Sequence, residues 1–149
     1  AALQDCLFEQ HGGDLSRLLP DAQALIQIWR LDADMYSGGF LQYFCNRGKQ
    51  NLRQVQNILK HIGAQRSLAI LKENEALIAP LQHDNRIKKL WDIPLYLEDH
   101  LNADQLARLD TLDAEYWANP DDRQVLCCHA YPSLMQPFLA QCGALPNPA

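Results

Sequence analysis

Apolar positions recur along the chain at three- and four-residue spacing, and proline and glycine cut that pattern into short blocks. The first block follows Pro20 and Asp21 over residues 22–35, with Leu25, Ile26, Ile28 and Trp29 on its apolar side. Ser37 then predicts an N-cap for a further turn of helix carrying Phe40, Tyr43 and Phe44, with Asn46 and Gly48 suited to end it. The clearest periodicity comes next: Leu52, Val55, Ile58, Leu59 and Ile62 share a helical face, and Gly63 is placed to stop it. A helix over residues 64–79 is expected to bury Leu68, Leu71 and Ile78 until Pro80 interrupts it. A short helix over 86–91 should end before Pro94. Asn102 predicts the cap of a long helix whose Leu106, Leu109, Leu112, Tyr116 and Trp117 form an apolar stripe. Pro120 separates it from a last helix holding Val125, Leu126 and Cys128.

Strand signals are scarce, with no sustained alternation and no Asn-Gly or Asp-Gly hairpin turn. The expected fold is therefore all-α, a compact bundle of about six to eight short helices. The 149 residues suit one core, so residues 3–143 are expected to form a single helical domain, with 144–149 as a frayed proline-rich tail. No internal repeat or low-complexity stretch is present.

Composition narrows the function classes. Hydrophobic residues make up 48% and charged residues 21%, a balance that argues against disorder throughout. No apolar run approaches the roughly 20 residues that span a bilayer. Cys6, Leu7 and Phe8 are flanked by charges, so no signal-peptide core is expected there. The start at Ala1 reads as processed or trimmed, and the cytoplasm is the expected location. The five cysteines fit no disulfide or zinc framework. Cys127, Cys128 and His129 are consecutive, so on a helix they point about 100° apart and do not converge on one metal ion. No metal and no cofactor are expected.

Charge is unevenly distributed. The net charge of −5 conceals an acidic stretch over residues 92–122: Asp92, Glu98, Asp99, Asp104, Asp110, Asp113, Glu115, Asp121 and Asp122 against the single base Arg108, a net −8. Residues 47–89 are the reverse, nine bases against Glu73, Glu75 and Asp84, a net +6. Asp110 and Asp113, three apart on a helix, fall on one face about 5–6 Å from each other and repel by a few tenths of a kcal/mol. These nine carboxylates are the candidate protein-binding face, suited to attract a basic partner and speed its encounter. The same acidity argues against direct nucleic-acid binding through this half.

The run Ser37-Gly38-Gly39-Phe40-Leu41-Gln42-Tyr43-Phe44-Cys45-Asn46 resembles the signature of a bacterial domain-of-unknown-function family typified by the DNA-mimic protein of Neisseria. That signature reads roughly Asn-Gly-Gly-Phe-x-Gln-aromatic-Phe-x-Asn. The similarity continues at Ile62-Gly63-Ala64 and, more weakly, at Leu112-Asp113-Ala114-Glu115-Tyr116, so it covers about residues 22–118. The resemblance implies an all-α fold. In the type member it further implies a dimer whose acidic surface imitates DNA and occupies a DNA-binding transcription factor. Ser37 stands where the family usually has Asn, and both residue types can cap a helix.

The motif also has an architectural reading. Gly38 and Gly39 let the backbone turn and approach a neighbouring helix. Phe40, Tyr43 and Phe44 recur at core spacing, and Gln42 and Asn46 share a face from which they can bond an adjacent loop. With Ser37 and Gly63 these form the structural motif set.

Enzyme signatures are missing or incomplete. His11-Gly12-Gly13 has no Gly-x-Ser-x-Gly elbow to accompany it, and no phosphate loop or His-Glu-x-x-His helix occurs. The neighbours Cys128-His129 diverge on a helix and do not make a nucleophile–base pair by themselves, and Asp99-His100 reads as a surface turn pair rather than a catalytic dyad. No catalytic residue is assigned.

The expected function is a non-enzymatic protein-interaction domain that binds a basic protein, such as a DNA-binding regulator. A homodimer is the assembly that the resemblance implies. The alternative is a small-ligand binder or cryptic enzyme with a pocket near Trp29, Phe40, Tyr43 and Phe44. A structural assembly subunit with an apolar dimer face is a third reading.

Overall fold

Glycine decides how the first half of the chain is laid out. Helix α1 (Pro20–Ile62) carries a continuous pattern of apolar residues, but Gly38, Gly39 and Gly48 leave helical backbone angles and divide it into three segments. The first segment turns Leu25, Ile28, Leu31 and Met35 inward, with Trp29 only partly covered. The second buries Phe40, Tyr43 and Phe44, and the third buries Leu52, Val55, Leu59 and Ile62. At Gly63 (φ 79°) the Gly63 N–H donates to the Lys60 carbonyl and the Ala64 N–H to the Leu59 carbonyl, the paired bonds of a Schellman stop.

The computed structural model describes residues 20–134. The tail at 144–149, both ends of the expected 3–143 domain and the His11-Gly12-Gly13 segment lie outside the described residues. Among the described residues there are five α-helices, three 3-10 segments and no strand. The all-α expectation holds, with fewer helices than the six to eight expected, because the three segments of α1 follow one another without an intervening loop. After α1 come α2 (Gln65–Ile78), α3 (Leu97–His100), α4 (Ala103–Ala118) and α5 (Arg123–Ala130). The 3-10 segments are Ala79–His83, Leu90–Tyr96 and Pro132–Leu134.

α1 is the hub. α5 packs along it, α2 and the Leu90–Tyr96 segment lie on it, and α4 closes the bundle against α2 and α1. Tyr116, Leu112 and Leu109 of α4 meet Phe40, Leu59 and Leu71 in one apolar cluster. Asn102 caps α4 as expected: its Oδ1 accepts from the Gln105 N–H (2.9 Å) and Gln105 Oε1 accepts from the Asn102 N–H (3.0 Å).

Two local expectations fail for one physical reason, the capture of backbone donors by carboxylates. The 86–91 stretch is not an α-helix, and residues 86–89 are not helical at all. Asp84 accepts the Arg86 N–H (2.9 Å), and Asp92 Oδ2 accepts the N–H groups of Lys88 (2.9 Å) and Lys89 (3.0 Å). Those contacts fold the segment into turns and start a 3-10 helix at Leu90 that runs through Pro94. Ser37 is not an N-cap either: its hydroxyl donates to the Ala33 carbonyl one turn back (2.9 Å), so it closes the first segment of α1. The true cap of the next segment comes from a residue 73 positions away.

Candidate protein-interaction surface

That cap is Asp113. The Phe40 N–H donates to Asp113 Oδ1 at 3.0 Å, so an α4 carboxylate starts the second segment of α1. Gly39 makes this possible. Its φ of 75° and ψ of −164° belong to a region open essentially to glycine, and a Cβ there would stand 1.9 Å from Asp113 Oδ2. The Gly-Gly pair is thus the notch into which the carboxylate fits. Burial pushes the Asp113 carboxyl above the usual carboxylate range, the Phe40 N–H opposes that rise, and Asp110 adds to it.

The remaining acidic residues divide into those engaged within the fold and those left open. Asp92 holds the Lys88 and Lys89 amides. Asp99 pairs with Arg86 (2.7 Å), and Glu115 pairs with Arg108 (2.7 Å) and Arg66 (3.0 Å). Asp121 Oδ2 accepts from the Ser67 N–H (2.8 Å), and Asp122 caps α5 through the Val125 N–H (3.2 Å). Glu98, Asp104 and Asp110 are exposed and make no hydrogen bond or ion pair with the described residues. The basic stretch supplies several of the internal partners: Arg66 and Arg86 pair with acids through their guanidinium groups, while Lys88 and Lys89 hold Asp92 through backbone amides.

Beside Asp110 lies a feature that the hydrophobic pattern misplaced. Trp117, expected in the α4 stripe, is 46% exposed, while its neighbour Tyr116 is fully buried. Adjacent helical residues point about 100° apart, so only one of the two can face the core. Trp117 instead meets Tyr36, itself 83% exposed, edge to face at 6.1 Å. Asp110, Asp113 and Trp117 follow i, i+3, i+7 spacing on one face of α4, and Tyr36 immediately precedes the Ser37-Gly38-Gly39 motif. The result is an exposed aromatic pair on the same face of α4 as Asp110, a carboxylate without a partner among the described residues. Sequence spacing could have flagged Trp117, since a stripe of 106, 109, 112 and 116 is already complete without it.

Asp32 and Arg123 carry no motif signal, yet they form the most buried ion pair among the described residues. Arg123, 7% exposed, donates Nε–H to Asp32 Oδ1 (2.8 Å) and Nη1–H to Ser67 Oγ (3.1 Å), and stacks 4.0 Å over the Tyr116 ring. The Tyr116 hydroxyl donates to the same Asp32 oxygen at 2.7 Å. Asp32 and Arg123 border an open polar cleft of about 410 Å³ at the turn between α4 and α5. Asp32, Asp121, Asp122 and Arg123 there are all engaged within the protein, so the cleft is a joint clamping α1, α2, α4 and α5. On α1, buried Asp34 accepts from Asn46 Nδ2 (3.0 Å) and Arg47 Nε (2.9 Å). Asn46 therefore bonds a carboxylate rather than a loop backbone. Gln42 folds back over Gly38, its Oε1 standing 2.3 Å from where a Cβ would be.

The aromatic motif is core: Phe40, Tyr43 and Phe44 are nearly fully covered, and the two Phe rings stack at 5.9 Å. Burial raises the thiols of Cys45 and Cys127, to about 11 and about 12, which keeps them protonated and unreactive at neutral pH. Consecutive Cys127, Cys128 and His129 face the core, its margin and solvent in turn. Among the described residues no three His, Cys, Asp or Glu side chains gather where a metal ion would fit, and no helix is long and apolar enough to cross a membrane.

No curated protein and no solved structure matches the chain. The family model for DMP19-like protein matches residues 16–136, which include the Gly-Gly notch, all of α4 and the carboxylate that joins them, and the chain belongs to that family.

Proposed function

We propose that this chain is a non-enzymatic interaction protein of the cytoplasm that engages a basic protein through the α4 face. The observation that carries the reading is the exposed Tyr36–Trp117 pair set beside unpaired Asp110, with Asp104 and Glu98 also unneutralised. Aromatic residues anchor protein interfaces, and surrounding charge sets partner choice and encounter rate. The family resemblance suggests the partner class: a DNA-binding regulator, whose phosphate-binding side chains would meet carboxylates instead. It also suggests a homodimer as the assembled form. The second reading, a small-ligand binder, draws support from a polar cavity beside Tyr43.

The test uses the full chain immobilised and exposed to a bacterial lysate, with elution by stepwise salt and by duplex DNA. The expected result is retention of a basic DNA-binding protein that leaves at moderate salt and is displaced by DNA. The triple variant Glu98→Lys, Asp104→Lys, Asp110→Lys should lose it, and Trp117→Ala should weaken it by about tenfold or more, as expected of an interface anchor. Equal retention by the parent and both variants would dismiss this face.

A further inference from the structure

A cavity of about 120 Å³ lies between the segments of α1, lined by Gln27, Arg30, Tyr43, Asn46, Arg47 and Asn51. Two guanidinium groups line it and no carboxylate does. The nearest acid, Asp34, is already occupied on both oxygens, by Asn46 Nδ2 and Arg47 Nε. Arg30 is left without a hydrogen bond or ion pair to any described residue. Burial and the charge of Arg47 both weaken its hold on its proton, and Asp34 offsets this only in part.

The Tyr43 hydroxyl adds a second and independent sign. Tyr43 is 2% exposed, lines the cavity and has no hydrogen-bond partner among the described residues. Its hydroxyl opens onto the cavity rather than being sealed in the core, so it is free to donate to whatever the cavity holds. Available donors therefore converge here: the Arg30 guanidinium, the Nη groups of Arg47 and the Tyr43 O–H. They surround a space that holds a few waters or one small ion.

We infer that the Arg30–Tyr43–Arg47 cavity is a binding site for a small oxyanion, a phosphate or carboxylate group. Charge selects an anion, since two cations line the cavity and the nearest carboxylate is spent. Geometry selects an oxyanion, since guanidinium forks present paired N–H groups to paired oxygens. Volume limits the bound part to a single such group. The site shares no residue with the α4 face, so it stands or falls apart from the interaction reading.

The experiment titrates the full chain with inorganic phosphate and, separately, with acetate, at an ionic strength held constant with chloride. The readouts are the Arg30 and Arg47 Nε–H and Asn46 side-chain NMR signals, together with the thermal unfolding midpoint. The expected result is saturable shifts and a rising midpoint, as for any ligand that binds only the folded state. Saturation by phosphate alone, acetate alone or both assigns a tetrahedral, a planar or a shared oxyanion preference. Arg30→Gln removes no hydrogen bond or ion pair to any described residue and should leave the fold intact while weakening binding by about tenfold or more. Tyr43→Phe should weaken it too, without loss of unliganded stability. Shifts that stay linear with both anions, or that saturate equally in Arg30→Gln, would overturn the site.

Discussion

The junction between Gly39 and Asp113 allows a quantitative test of how the family motif works. Replacing Gly39 with Ala has two consequences. The residue must hold φ 75° and ψ −164°, which costs a non-glycine residue about 1–3 kcal/mol. The new methyl would also stand 1.9 Å from Asp113 Oδ2, so the carboxylate must swing away and give up the Phe40 N–H, an N-cap worth about 0.5–2 kcal/mol. Gly39→Ala should thus cost about 1.5–5 kcal/mol, a large part of the roughly 5–15 kcal/mol typical of a whole domain. Asp113→Ala loses only the cap. In the double variant the cap can be lost only once, so its cost should fall short of the summed single costs by the cap energy, about 0.5–2 kcal/mol. Urea unfolding followed by far-UV circular dichroism measures all four proteins, with unchanged slopes marking a fold that is weakened but not altered. Strict additivity would refute the reasoning, because it would mean that the methyl and the carboxylate do not compete for the same space.

The Asp84 cluster predicts an acid limb of the stability curve. Hydrogen bonds from Arg86 first and His100 second hold the Asp84 carboxyl far below the ordinary range. A depressed folded-state pKa contributes stability that is present above about pH 4 and is lost as pH falls further, so Asp84→Asn should flatten the decline below about pH 4. Unfolding midpoints measured across that range check it, and parallel curves for the two proteins would count against it. For the joint at Asp32, Arg123→Ala should cost about 1–3 kcal/mol, because Asp32 loses its ion pair while keeping the Tyr116 O–H. Arg123→Lys should recover less than half, since an ammonium cannot hold Asp32 and Ser67 while stacking on Tyr116. A lysine variant as stable as the parent in urea would show that charge alone is what the joint requires.

The features legible in the sequence are those set by neighbours a few residues apart. Asn102 with Gln105 and the stop at Gly63 follow from local capping chemistry, and the stripe Leu52, Val55, Ile58, Leu59 and Ile62 follows from helical period; all appear where expected, with Ile58 at the margin of the core. What sequence could not convey is which distant group a polar side chain would meet. Ser37 had the right chemistry for a cap, but Asp113 took that role across 73 positions. The same blindness affects the charge count, which treats nine acids as equivalent. In the folded chain six of them hold amides or guanidinium groups, and Glu98, Asp104 and Asp110 have no side-chain partner among the described residues. This changes how the surface must be probed. Reversing Asp113 would unseat the Gly-Gly notch and weaken any binding through the fold itself, whereas reversing Asp110 three residues earlier leaves every internal bond in place. A comparison of those two reversals separates an acidic recognition surface from an acidic scaffold: loss of partner with Asp113→Lys alone indicts the fold, and loss with Asp110→Lys at parental stability identifies the surface.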